Sequence, residues 1–136
     1  MSYGSSAALQ EAVFSALVND TIVVGLTSGA IFDAEPTGVL PPIYISLGPE
    51  QVRAKADKSG GGALHEFVVS VVSEAPGFAT AKSVAVAIGD RLVDASMPLS
   101  RGELISLRFQ KAKAVRIEKG AKRRIDLTFR ARVSDH

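Results

Sequence analysis

The stretch RFQKAKAVRIEKGAKRRIDLTFRARV, Arg108 to Val133, decides the fold of this chain, because its basic residues are interleaved with apolar ones at a spacing of two. Successive side chains of a strand point to opposite faces, so this alternation separates a buried face from a wet one. On the return half Ile125, Leu127, Phe129, Ala131 and Val133 alternate with Arg124, Asp126, Thr128, Arg130 and Arg132. On the outward half Ile105, Leu107 and Phe109 alternate with Ser106, Arg108 and Gln110. The spacing predicts two strands about KGAK, with Gly120 where a tight turn wants a positive φ. Each strand then has one apolar face and one polar, mostly basic face. Phe109 and Phe129 fall on the apolar faces, which makes them core candidates and leaves no stacking platform among the cations.

Upstream, ALHEFVVSVVSE reads as another strand, with His65, Phe67, Val69 and Val71 as its cleaner core face. IYISLG, bounded by Pro42 and by Gly48-Pro49, reads as the first main strand. AALQEAVFSALVND puts Leu9, Val13, Ala16 and Leu17 on one helical stripe, with Ser5 or Ser6 as N-cap and Asn19-Asp20 as a stop. FATAKSVAVAIGDRLVD places Phe78, Ala81, Ala85, Ile88 and Leu92 at helical spacing. TIVVGLTSGAIFDAEPTGVLPP, rich in Gly and Pro, is expected to be irregular apart from a brief strand near Ala30–Phe32. The segment from about residue 49 to 62 is read as a flexible loop because it combines charges with Gly60-Gly61-Gly62. These elements predict an α+β domain: a mainly antiparallel sheet of about four strands with two amphipathic helices packed on one face.

With 136 residues, of which 46% are hydrophobic, the chain has the length and composition of one domain with a real core. No apolar run reaches a membrane span, and MSYGSSAALQEAV lacks the basic and apolar regions of a signal peptide, so the expectation is assembly in the cytoplasm without a membrane partner. The absence of cysteine excludes thiolate chemistry and Cys-ligated zinc, and His65 and His136 are too few for an ordinary metal site. Residues 1–100 carry five Lys/Arg against ten Asp/Glu, whereas residues 101–136 carry eleven against four. Such polarity suits a nucleic-acid surface, or an interface where the acidic part of one subunit meets the basic part of the next.

No catalytic, metal-binding or cofactor-binding set emerges. There is no nucleophile elbow, SGGGA lacks the phosphate-loop spacing, and Asp90 and Asp94 read as a solvated helix face. Two groups remain as interaction candidates. Arg53, Lys55, Asp57 and Lys58 in the loop suit contact with a partner. Arg108, Lys111, Lys113, Arg116, Arg123, Arg124, Arg130 and Arg132 suit a charged surface between subunits or beside a channel.

MSYGSSAALQEAVFSALVND, IFDAEPTG, PPIYISLGPE, HEFVVSVVSEAPGFATAKSVAVAIGDRL and SLRFQKAKAVRIEKGAKRRIDLTFRARV together resemble the tail terminator or tail completion proteins of long-tailed phages. The resemblance is nearest to the version in the gene transfer agents of alphaproteobacteria, which are phage-like particles. It implies a non-enzymatic virion protein that forms a hexameric ring, caps the tail tube and ends its polymerisation. It also implies docking to the head-side connector or stopper, with DNA only in transit through the ring. The alternatives are a small nucleic-acid-binding protein that uses the basic hairpin, and a neighbouring head-tail joining protein.

Overall fold

The structure, a computed structural model, describes residues 3–54 and 62–134. Among these residues it contains helices α1 (Ser6–Val18), α2 (Thr21–Thr27) and α3 (Ala79–Leu92). The strands are β1 (Ile31–Phe32), β2 (Ile43–Ala54), β3 (Gly62–Ser73), β4 (Glu103–Ile117) and β5 (Lys122–Ser134). They form one sheet in the order β1-β2-β3-β5-β4, in which β1 runs parallel to β2 and every other pair is antiparallel. The α+β class and mainly antiparallel sheet match the expectation; the sheet has five strands rather than about four, and the helices number three.

The hairpin alternation translates directly into burial. Ile125, Leu127, Phe129, Ala131 and Val133 all face the helices and are buried, and β3 sets His65, Phe67, Val69 and Val71 beside them on the same face. Phe67 stacks on Phe129 with ring centroids 5.7 Å apart. Leu9, Val13 and Leu17 of α1 and Ala81, Val84, Ile88 and Leu92 of α3 close this core from above. On α3, Val84 and Ala87 are buried, while Ala85 is only half-buried.

The differences from the sequence reading have local causes. Asp20 does not merely stop α1: its carboxylate accepts from the N–H groups of Ile22 and Val23, both at 3.0 Å, and so caps α2 in a stretch expected to be irregular. Ser5 occupies the N-cap position of α1 without capping through its side chain; Ser6 instead donates to Glu50 at 2.5 Å. Tyr3 donates to the same carboxylate, which ties the start of α1 to β2. Gly48-Pro49 does not end β2. The register with β3 slips between Leu47 and Glu50, and this bulge absorbs the proline, so pairing resumes from Glu50 to Ala54. The part of the expected loop from Pro49 to Ala54, and Gly62, is therefore strand. Lys55, Asp57, Lys58, Gly60 and Gly61 lie outside the described residues.

At the turn, Glu118, Lys119 and Gly120 all have positive φ, with Gly120 at 87° as expected. A second glycine is held more tightly. Gly102 has φ 78°, and a Cβ there would stand 2.6 Å from the Ser5 hydroxyl oxygen and 2.8 Å from the Ser134 carbonyl oxygen. This is the point where the start of α1, the entry to β4 and the end of β5 meet.

Gly102→Ala is accordingly expected to cost about 1–3 kcal/mol, the usual range for a non-glycine residue held in a disfavoured backbone region, read as a lower melting temperature. A second expectation concerns His65, which is fully buried on the helix side with neither ring nitrogen hydrogen-bonded among the described residues. Burial lowers its pKa, partly opposed by the Glu50 carboxylate. The unfolded chain therefore binds a proton more readily, and stability falls as pH drops below about 6.5, at no more than about 1.4 kcal/mol per pH unit. His65→Leu should flatten that part of the stability profile in urea titrations; an unchanged slope would exclude His65 as its source.

Candidate interaction surface

The register assigns each basic side chain of the hairpin to a face. Opposite the helices, β5 presents Arg124, Asp126, Thr128, Arg130 and Arg132, while β4 presents Ser106, Arg108, Lys111, Lys113 and Val115 beside them. On β3 the same face carries Leu64, Glu66, Val68, Ser70 and Val72. The expected face of Arg124, Arg130 and Arg132 is thus formed as read, and it continues across three strands.

One end of this face is closed by the connection after β1. Glu35 accepts from the Tyr44 hydroxyl at 3.3 Å and from the Ser46 hydroxyl at 3.2 Å, and it lies 3.9 Å from an Arg124 guanidinium nitrogen. Arg124 also donates to Asp126 at 2.9 Å and to Ser70 at 3.1 Å, while Ser70 donates to Asp126 at 2.6 Å. Burial and the Glu35 carboxylate push the Tyr44 hydroxyl pKa up. Arg124 is therefore held inside a network joining β3, β5 and the Glu35 connection, where each charge has a partner. Nothing in the sequence marks Glu35 for this, since it sits in a Gly- and Pro-rich connection without periodicity.

The other end is open. Arg108, Lys111, Lys113 and Arg130 are exposed, and among the described residues none of them has a carboxylate within ion-pair distance. Arg130 lies between Arg108 on β4, a like charge, and Glu66 on β3, an opposite one, so its charge is offset on one side only. Arg132 is half-buried, and Arg53 is exposed near the end of β2, opposite Leu64.

Arg116 and Arg123 do not belong to this group. They pair with each other on the helix side of the hairpin, one step beyond Ile125 in the alternation. Arg123 donates to the Gly120 carbonyl at 2.7 Å, and its guanidinium lies 5.8 Å from the centroid of the Phe78 ring, so it braces the turn against the start of α3. Phe109 shares the helix side as expected but is 50% exposed, because β4 is the edge strand and α3 lies over β3 and β5 more than over β4. It meets Phe129 edge-on at 6.1 Å.

Chemically, the open end offers several cations and no oriented nucleophile or base, an arrangement fitted to an anionic surface rather than to bond making. Among the described residues no group of three His, Asp or Glu side chains could hold a metal ion, and no single helix is long and apolar enough to cross a membrane.

No curated protein sequence matches the chain. Among solved structures, a chain of one described as the virion of a native gene transfer agent particle is 52% identical, with a TM-score of 0.91 over 98% of this chain and 99% of that one. The family model for tail completion protein gp17 matches residues 11–134, which includes all the strands and both faces of the sheet. By that match the chain belongs to the tail completion protein gp17 family.

Proposed function

We propose that this protein forms a ring, hexameric as its resemblance to tail terminators implies, that caps the tail tube of a phage-like particle, ends tube polymerisation and joins the tail to the head-side connector. As a tail completion protein the chain is structural and not an enzyme. Its similarity to a chain from a gene transfer agent virion supports a place in the tail of such a particle; in our reading that place is the head-tail junction, with DNA passing through the ring.

The observation that carries the reading is the row of exposed cations on the polar face of the hairpin, none with a carboxylate within ion-pair distance among the described residues. Arg108 faces Arg130 with Lys111 alongside, and Glu66, across β3 from Arg130, offsets this charge from one side only; an anionic surface laid over the row makes it favourable. In a ring that surface is the acidic part of the next subunit, or the channel through which the phosphate backbone passes. A channel of mixed charge lets DNA through, whereas a densely cationic one would hold it. We assign contact with the tail tube or the head-side partner to the segment from Pro49 to Gly62, which carries exposed Arg53 at the end of β2 and, outside the described residues, Lys55, Asp57 and Lys58.

Electron microscopy of purified particles should show a six-fold ring of this protein at the head-tail junction. A strictly monomeric protein absent from particles would overturn the reading. Arg108→Glu with Arg130→Glu should change stability by no more than about 0.5 kcal/mol, as is usual for exposed positions, while sharply lowering the yield of tailed particles joined to heads. By contrast, Arg124→Ala should destabilise the free protein by about 1–3 kcal/mol, because it strips Asp126 of a charged partner inside the sheet. If the free protein instead binds DNA with a steep salt dependence that the Arg108 and Arg130 changes abolish, the basic hairpin serves as a nucleic-acid site.

A further inference from the structure

The described surface concentrates its large apolar side chains. Of eight that are exposed, Ile22, Leu26 and Val86 lie together in the groove between α2 and α3, and Ile105 and Phe109 lie on β4. These two patches differ in shape and charge. The first presents branched aliphatic side chains flanked by Asp20, Asp90 and Arg91. The second is a lane on the helix side of β4, where Phe109 is followed by Ala112, Ala114 and Arg116, all exposed because α3 stops short of the edge strand. Its small side chains leave a flat apolar track, bounded by an aromatic ring at one end and a cation at the other.

We infer that the α2–α3 patch of one copy of this chain covers the Phe109–Arg116 lane of the next. Three observations support that occupant. Branched side chains that protrude from a helical surface fit a lane of alanines, as knobs fit a flat receiving surface. The carboxylates of Asp20 and Asp90 beside the first patch complement Arg116 at the end of the second. The two patches are made of different residues, so one contact per subunit between the patch of one copy and the lane of the next is heterologous, the type that can repeat around a ring. The contact presupposes the ring proposed above and identifies which surfaces build it.

The chain contains no cysteine, so a thiol cross-link within the assembly reports only on introduced positions. Val86→Cys combined with Ala112→Cys, expressed in particle-producing cells, should give a ladder of covalent multimers from purified particles under mild oxidation or with a short thiol cross-linker. Each single variant should give none, and Val39→Cys with Ala112→Cys, which moves one thiol to an exposed connection that does not line the groove, should also give none. Leu26→Cys with Ala114→Cys provides an independent pair should the first variant assemble poorly. Rings visible by electron microscopy without a ladder from either pair would overturn this contact while leaving the ring intact. Covalent dimers from Ala112→Cys alone would overturn it in favour of a two-fold contact. Particles of the unmodified protein that lack a ring would remove the proposed function and this contact together.

Discussion

One strand face organises the molecule. Ile125, Leu127, Phe129, Ala131 and Val133 on β5 are all buried, and β5 is the strand hydrogen-bonded to both long neighbours, β3 and β4. Burying each larger member of this row is worth about 1.5–3 kcal/mol, so the row is a large share of what orders the sheet. A slip of one residue would send Arg124, Arg130 and Arg132 toward α1 and α3, which no marginally stable domain could tolerate. Register is therefore specified without ambiguity at the centre, and the other elements are placed by reference to it: α3 and α1 close over the apolar side, and the charges are left on the opposite one.

That opposite side has two fates along its length. Toward the turn, the Glu35 connection closes over it and turns Arg124 into the centre of a satisfied network with Ser70 and Asp126. Toward the other end Arg108, Lys111 and Arg130 are exposed, and among the described residues none has a carboxylate within ion-pair distance. Residues of the same type on the same face thus divide into internal ties and outward-facing charge. The division depends on whether a segment distant in sequence arrives to supply a carboxylate.

Where the sequence reading and the structure part, the causes are ones that periodicity does not register. Gly48-Pro49 looked like the end of a strand because a proline cannot serve a regular ladder; a bulge takes it out of the ladder, and β3 continues pairing beyond it. The segment after Asp20 looked irregular because it is rich in glycine and proline, yet one carboxylate satisfies two N–H groups and the first turn of α2 forms. Phe109 carries the alternation of a core residue but lies on an edge strand, where facing the right way does not guarantee a covering layer. Arg116 and Arg123 followed the charge pattern of their neighbours but fall on the other parity, so the helix side received two arginines that a reading by composition had grouped with the rest.

By itself the sequence determined the α+β class, the hairpin and its turn, the core faces of β3 and β5, and the absence of any coherent catalytic set. These follow from local alternation and helical spacing, which are properties of neighbours in the chain. Only the tertiary structure decided the parallel addition of β1, the closing of half the polar face by Glu35, and the exposure of the Phe109–Arg116 lane. Each of these depends on which distant segment comes to rest against a given face. Spacing along a strand states which way a side chain points; it does not state what, if anything, will be there to meet it.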